Sequence, residues 1–251
     1  MRRSGRKVFG RGPVLRTAGL LLAVLVALPL HAAQIHVSTE EYPPYNVRGS
    51  DGRPTGVYMD QLKIIFERTG ISYDATILPW ARAIALAETT NSYCVAAAAR
   101  TPERENRFKW ISPIHTDRNV LVARKDAHLD VKTIKDAKRY SVGTQRDDYT
   151  ETLLRSLHFT RIDLSADFET THTRLLSGRI DMMPMSESAL SKLSGEDLVE
   201  VAVLAHQSLG MACNKSVPDS LIRKMQSALD ALIADGTQRR IYERYGLVIR
   251  N

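Results

Sequence analysis

The sequence lacks most of the features that mark a catalytic or metal-binding protein. Its 251 residues include only two cysteines, and its seven histidines show no metal-ligand spacing. Glycine-rich phosphate loops and the Gly-x-Ser-x-Gly nucleophile elbow are absent, as are internal repeats and low-complexity segments. We therefore expect no bound metal and no cofactor.

No apolar run reaches the length of about 20 residues that a membrane-spanning helix needs. The run Ala18 to Leu28 has 11 residues, follows six basic residues and precedes the small residues Ala32 and Ala33. This order is typical of a secretory signal peptide, which predicts that residues 1–33 are removed by cleavage after Ala32 or Ala33. Because no cysteine directly follows either cut, we expect an exported protein without a lipid anchor.

The formal net charge of +7 and the isoelectric point near 9.5 come from the amino terminus. The predicted signal peptide contains 6 of the 35 basic residues and none of the 28 acidic ones. The mature chain then has 29 basic and 28 acidic residues, a net charge of +1. This balance argues against nucleic acid as a partner.

The mature chain alternates strand and helix patterns, which predicts an α/β protein with mainly parallel strands. A second run of the same alternation follows a predicted strand from Asn119 to Arg124. The remaining predicted strands are Gln34 to Thr39, Ile71 to Leu78, Tyr93 to Ala99, Tyr140 to Gly143, Thr160 to Leu164, Ile180 to Met185 and a strand-rich segment Val199 to Cys213.

The junction after Ala99 is the most informative segment. A buried strand from Tyr93 ends there, and Thr101-Pro102-Glu103 then begins a helix, so that Arg100 and Arg104 follow the carboxyl end of the strand. Ligands of open α/β sheets bind at such ends, and guanidinium groups beside a helix amino terminus suit a carboxylate. Alternatively, both arginines pair with Glu103 and Glu105 on a solvated face.

Six short motifs follow one another along the chain: Pro43-Pro44-Tyr45, Gly56 before a helix, Thr101-Pro102-Glu103-Arg104-Glu105, Phe108 to Pro113, Gly178-Arg179-Ile180-Asp181 and Asp235-Gly236-Thr237. Their order and spacing resemble family 3 of the extracellular solute-binding proteins. The resemblance implies a periplasmic, monomeric receptor for a small polar ligand, mostly an amino acid, which it delivers to the permease of an ABC importer. It implies no enzymatic activity.

The resemblance also implies a two-lobed type II periplasmic-binding-protein fold with mixed, mainly parallel sheets and two hinge strands. Residues 34–117 and 208–251 would form lobe 1, residues 118–207 would form lobe 2, and the ligand would lie between the lobes. Cys94 and Cys213 would lie on adjacent antiparallel strands, where they form a disulfide or remain two buried thiols.

Lobe 1 would contribute most of the binding residues. Arg104 aligns with the arginine that holds the ligand α-carboxylate in amino-acid-binding members, and Thr101 would add a donor. Arg100 would be a second anion contact or a surface partner of Glu103. Ala99 lies where such members often have hydrogen-bonding groups. Tyr42 and Tyr45 lie in the loop that would supply an aromatic wall over the ligand, or else they fill the core. Trp80 has an amphipathic ring suited to a binding cleft, or else it packs under the helix that begins at Ala81.

Lobe 2 departs from the amino-acid-binding pattern at two places. Asp147-Asp148-Tyr149 replaces a Gly-Thr-Thr-like turn, and carboxylates at that helix start are poorly suited to a second anion. Ser186 replaces the aspartate that takes the ligand ammonium, with Glu187 beside it. Glu187, Asp147 and Asp148 are therefore candidates for binding an ammonium group.

The sequence leaves two other functions open. A cyclohexadienyl dehydratase-like enzyme shares the scaffold, and Glu187 could act as its acid. The chain could also be an orphan sensory receptor that docks on a membrane partner instead of an importer.

Overall fold

The computed structural model describes residues 34–193, 195 and 197–247, together with Met1 and Gly5. The predicted signal peptide lies outside this part of the chain, apart from Met1 and Gly5. The described residues between 34 and 247 fall into one compact unit that contains every element below. Within the described part, no helix is long and apolar enough to cross a membrane.

The first half of the chain alternates strands and helices up to residue 105. Its elements are β1 (Ile35–Thr39), β2 (Val47–Arg48), β3 (Pro54–Thr55), α1 (Val57–Thr69), β4 (Tyr73–Ile77), α2 (Trp80–Thr89), β5 (Tyr93–Ala99) and α3 (Pro102–Glu105).

The long strand β6 (Lys109–Arg124) leads into the second half and a 3₁₀ turn at Lys125–Ala127. The elements that follow are α4 (Ile134–Ala137), β7 (Val142–Gln145), α5 (Tyr149–Ser156), β8 (Ile162–Ser165), α6 (Phe168–Leu176), β9 (Met182–Ser186) and α7 (Glu187–Leu190). Strand β10 (Leu198–Cys213) returns to the first half, where α8 (Asp219–Ala234) and α9 (Thr237–Arg244) pack on α1.

Eight strands form one sheet in the order β4-β1-β5-β10-β6-β9-β7-β8. Strand β1 is parallel to β4 and β5, and β7 is parallel to β8 and β9. Strands β6 and β10 have 16 residues each and pair antiparallel along their length, which joins the two parallel groups. This arrangement confirms the predicted α/β architecture with two connecting strands.

Strand β6 begins ten residues before the predicted start at Asn119. Proline and several polar residues hide the strand pattern in this segment, because proline cannot donate a ladder hydrogen bond. The pairing with β10 is irregular there: Leu209 faces His115, whereas Met211 faces Ile111. The strand therefore accommodates Pro113 within this irregularity.

Helix α1 forms where the apolar spacing predicts a helix. Leu62, Ile65 and Phe66 are buried, and Gly70 ends the helix in the left-handed conformation with φ 64°. The core cluster that contains this helix extends from Val37 in β1 to Met183 in β9. Two smaller clusters lie beneath α2 and around β7.

Cys94 and Cys213 face each other on the antiparallel strands β5 and β10 and form a disulfide. The bond is the first of the two alternatives left open by the sequence. It ties the strand that returns from the second half to the first half, at the amino-terminal end of β5.

Candidate functional site

Two adjoining cavities lie where the carboxyl ends of the parallel strands meet. The arginine cavity, of about 480 Å³, is lined by Thr101, Arg104 and Asp147 among others. The acidic cavity, of about 70 Å³, is lined among others by Glu40, Tyr42, Tyr45, Asn46, Asp117, Asn119, Asp148 and Ser186. Tyr149 and Gln207 line both cavities. The ends of β1, β5, β7 and β9 thus supply one site, as expected for an α/β sheet.

Arg104 is a buried cation at the arginine cavity, with 5% of its surface exposed. Its Nη2 donates to the carbonyl oxygen of Asp147 at 2.7 Å, and its guanidinium carbon lies 5.5 Å from the ring centroid of Trp80. Nη1 is buried and has no hydrogen-bond partner among the described residues. Burial lowers the pKa of Arg104, while Asp148 opposes that shift. A buried arginine with an unused donor is a suitable partner for an anion.

Trp80 joins Arg104 at the same carbonyl group. Its indole Nε1 donates to the carbonyl oxygen of Asp147 at 2.9 Å, and its side chain is 1% exposed. Asp147 has a φ of 59°, a left-handed conformation that aspartate adopts more readily than most residues. The carbonyl group of Asp147 therefore points across the site, toward Trp80 in α2 and Arg104 in α3.

Asp148 is the N-cap of α5. Its Oδ1 accepts from the backbone N–H of Thr150 at 2.8 Å. The Asp148 carboxylate thus occupies the Thr150 N–H, which is then not available to a ligand carboxylate in the way that a Gly-Thr-Thr-like turn would offer its donors. Tyr149 follows at the wall between the cavities, and burial raises the pKa of its hydroxyl well above its usual value.

Tyr42 and Tyr45 both contact Ser186, at the end of β9. The Tyr42 hydroxyl accepts from the Ser186 backbone N–H at 2.8 Å, and the Tyr45 hydroxyl lies 2.9 Å from Ser186 Oγ. The two rings lie 5.7 Å apart, and Tyr42 also packs at 4.6 Å on Phe168. These tyrosines therefore form an aromatic wall that contacts both halves of the chain.

Asp117 is a buried residue of this network that the sequence reasoning missed. It accepts from Ser186 Oγ, from the Ser188 N–H at 3.0 Å and from the Tyr45 hydroxyl at 3.3 Å, and His115 Nε2 lies 3.4 Å away. Burial alone would raise the pKa of Asp117, but hydrogen bonds from His115, Ser186 and Ser188 hold it well below its usual value. Its burial has no local signal, because residues 115–119 are all polar.

Gly56 fixes the loop that carries the tyrosines. Its φ is 114°, and a Cβ atom there would lie 2.5 Å from the carbonyl oxygen of Tyr45. The first residues of α1 donate to the same loop, Val57 to Pro44 and Tyr58 to Tyr45. A glycine is therefore required for α1 to begin directly against this loop.

Four predicted site residues line neither cavity: Trp80, Ala99, Arg100 and Glu187. Trp80 is buried in the cluster beneath α2. Arg100 forms a two-pronged ion pair with Glu105, at 2.6 and 2.7 Å, and not with Glu103. Ala99 is buried, whereas Ala97 lines the acidic cavity. Glu187 accepts from Arg118 Nη1 at 2.9 Å. Across the part of the chain that the structure describes, no group of three or more metal-ligating side chains is arranged to hold a metal ion.

Comparison with known proteins identifies the relatives of this chain. The sequence model of the bacterial extracellular solute-binding proteins, family 3, matches residues 35–248. The L-cystine-binding protein TcyJ of Escherichia coli K12 is 22% identical over 210 residues, 81% of this chain and 79% of that protein. The ABC transporter arginine-binding protein 1 of the same strain is 24% identical over 219 residues, 81% of this chain and 86% of the relative.

A solved structure shows the same fold. An ancestral arginine-binding protein bound to arginine superposes with a TM-score of 0.76 at 21% identity, over 85% of this chain and 98% of that one. This likeness confirms the expected type II periplasmic-binding-protein fold.

Proposed function

Because the chain belongs to family 3 of the bacterial extracellular solute-binding proteins, we propose that it captures a small ligand bearing a carboxylate. The ligand would be an amino acid or a close derivative. The two relatives are binding proteins. This chain is likewise a binding protein and not an enzyme.

Arg104 is the observation that carries this proposal. It is buried, lines a cavity of about 480 Å³ and keeps Nη1 without a partner in the described part of the chain. A ligand carboxylate that accepts from Nη1 would give this cation an anionic partner, and buried cations are stable only when they are paired. One N–H of Nη2 stays on Asp147, and Nη1 would donate to the carboxylate.

The lobes in this proposal are residues 34–117 with 208–251, and residues 118–207. Hydrogen bonds that join them come from Trp80 and Arg104 to Asp147 and from Ser186 to Tyr42. Strands β6 and β10 would act as the hinge, near Arg118 and Gln207. A ligand shifts such a protein toward the closed form only through contacts that the closed form alone makes. Thr101 and Tyr149, which line the arginine cavity, would supply further contacts of this kind to the ligand.

The names of the relatives support an amino acid as the ligand, since one binds L-cystine and one binds arginine. Delivery to the permease of an ABC importer, export through the signal peptide to the periplasm, the absence of a lipid anchor and a monomeric state are part of the proposal. Pull-down of a permease by the liganded protein from detergent-solubilised inner membranes would test the delivery step.

A thermal-shift screen tests the proposed function. The mature protein is refolded to remove copurified ligand and is then screened against L-amino acids, polyamines and small carboxylates. A compound that binds only the folded state raises the melting temperature by mass action. We expect hits among compounds that carry a carboxylate, and a panel in which only compounds without a carboxylate bind would contradict the proposal.

A further inference from the structure

Asn46 has a buried side chain without a hydrogen-bond partner. Its backbone is fixed by the bridge to Tyr42, with N–H to oxygen distances of 2.8 and 3.0 Å. The side chain is 0% exposed and lines the acidic cavity, yet neither Nδ2 nor Oδ1 has a partner among the described residues. Native proteins pair nearly all buried polar groups, so an unpaired amide facing a cavity points to a ligand.

Two further oxygens at the acidic cavity are likewise buried without a hydrogen-bond partner in the described chain. They are Oε2 of Glu40 and Oδ1 of Asn119. Together with Asn46, the cavity presents three unpaired oxygens and one unpaired nitrogen, and exchanging the two ends of the Asn46 amide leaves this count unchanged. The matching ligand group is therefore one that mainly donates hydrogen bonds.

The charges around the cavity favour a cation. Burial raises the pKa of Glu40 well above its usual value, the carboxylates of Asp148 and Asp167 raise it further, and Arg104 opposes them. Arg118 also lines the cavity, but its guanidinium is paired with Glu187 and Glu200. A positive group that enters the cavity would lower the repulsion between these carboxyl groups.

Ser186 is already engaged by protein groups. Its hydroxyl donates to Asp117 and its N–H donates to Tyr42. Ser186 stands where the related proteins have the aspartate that binds the ligand ammonium. Here both its hydroxyl and its N–H are used in hydrogen bonds within the protein. A cationic ligand group therefore has to be bound by other residues.

We propose that Asn46, Glu40 and Asn119 form a second subsite, which takes a cationic nitrogen group of the ligand, an ammonium or a guanidinium. This proposal rests on the proposed function, since Arg104 would hold the carboxylate of the same molecule. The two subsites together select compounds with a carboxylate and a cationic nitrogen, and they reject dicarboxylates and simple fatty acids.

Five probes test the ligand class: L-lysine, L-arginine, L-norleucine, hexanoate and glutarate. We expect at least one of the three amino acids to raise the melting temperature of the refolded mature protein, and hexanoate and glutarate to leave it unchanged. Norleucine has only its α-ammonium group, so its effect relative to lysine shows which nitrogen occupies the subsite. The proposal is overturned if glutarate or hexanoate raises the melting temperature as much as the amino acids do, or if no amino acid raises it.

Variants then locate the subsite. For the amino acid probe that binds best, we expect Asn46→Leu and Glu40→Gln each to weaken affinity at least tenfold, and Asn91→Ala, at an exposed asparagine, to leave it unchanged. If Arg104→Ala weakens binding while both subsite variants bind like wild type, the proposed function stands and the second subsite is wrong. If none of the three weakens binding, both proposals are wrong.

A measurement without ligand makes the test independent of the probes. If the amide of Asn46 is unpaired, Asn46→Leu replaces it with an apolar group of similar size and should raise the melting temperature of the refolded protein. A lower melting temperature would show that the amide makes stabilising hydrogen bonds within the protein, and it would overturn the proposal.

Discussion

Nη2 of Arg104 donates to the carbonyl oxygen of Asp147 at 2.7 Å, which joins α3 to the turn before α5. Trp80 donates to the same oxygen at 2.9 Å. One carbonyl group therefore receives two donors from the first half of the chain. The contact both orients the guanidinium of Arg104 and holds the two halves together.

Trp80→Phe tests the role of this contact in closure. The variant keeps an aromatic ring but removes the indole N–H, so the closed form loses one hydrogen bond. We expect ligand affinity to fall by about 1 kcal/mol, roughly fivefold, while the melting temperature without ligand changes little. Isothermal titration calorimetry measures the first effect and differential scanning calorimetry the second. Unchanged affinity would show that the Trp80 contact does not contribute to binding.

The disulfide should stabilise the fold without affecting the site. Cys94 and Cys213 are 119 residues apart in sequence, so their bond constrains a long loop of the unfolded chain. Replacing both with alanine should lower the free energy of unfolding by about 2–5 kcal/mol. Urea unfolding under non-reducing conditions measures this loss. Ligand affinity should be retained, because the bond lies at the amino-terminal end of β5, and a large loss of affinity would contradict this separation.

Asp117 should make stability depend on pH below about 4, the usual range of its carboxyl group. Its pKa is lowered in the folded protein, so its stabilising contribution is present above the unfolded value and is lost as the pH falls. Asp117→Asn should cost about 1–3 kcal/mol at pH 7 and progressively less at acidic pH. Urea unfolding at pH 7 and pH 3 tests this. An equal gap at the two pH values would contradict the assigned charge.

Glu40 should make the folding stability depend on pH in the opposite direction. Its pKa is raised by burial and by neighbouring carboxylates, so the folded protein without ligand loses stability as the pH rises from about 4.3 through the raised folded value. A bound cation favours the ionised form, so an amino acid probe should bind more tightly as the pH rises and should release a proton. The charged and titratable groups around Glu40 and its cavity are Arg104, Asp148, Asp167, Tyr42, Tyr45, Asp117, Arg118 and Tyr149.

Titration calorimetry in two buffers of different ionisation enthalpy detects this proton release. Glu40→Gln serves as the matched control, because the amide cannot ionise while the neighbouring groups remain. We expect proton release from the wild type to exceed that from the variant. Equal proton release from both proteins would exclude Glu40 as the titrating group.

Much of the fold follows from local sequence patterns. The strand Tyr93–Ala99 has the predicted bounds, because an apolar run of seven residues between polar turns fits little else. Helix α1 likewise ends at the predicted Gly70. Strand β6 was predicted too short, because its first part is stabilised by long-range pairing with β10, which a local pattern does not reveal.

The site was only partly predictable, for a physical reason. Arg104 follows a strand end, a position that the topology itself makes functional. Asn46 gives no such signal, because asparagine is common in turns and its unpaired state depends on the packing around it. The pairing of Arg100 with Glu105 rather than Glu103 depends on side-chain geometry that spacing alone leaves open.

The affinity of Arg104→Ala for the best L-amino acid probe tests the central claim most directly. Calorimetry on ligand-stripped protein should show a loss of about 2–5 kcal/mol relative to wild type. Arg139→Ala, which removes an arginine paired with Asp130 at the surface, should bind like wild type. If Arg104→Ala binds with wild-type affinity, Arg104 does not hold the ligand and the account of the site is wrong.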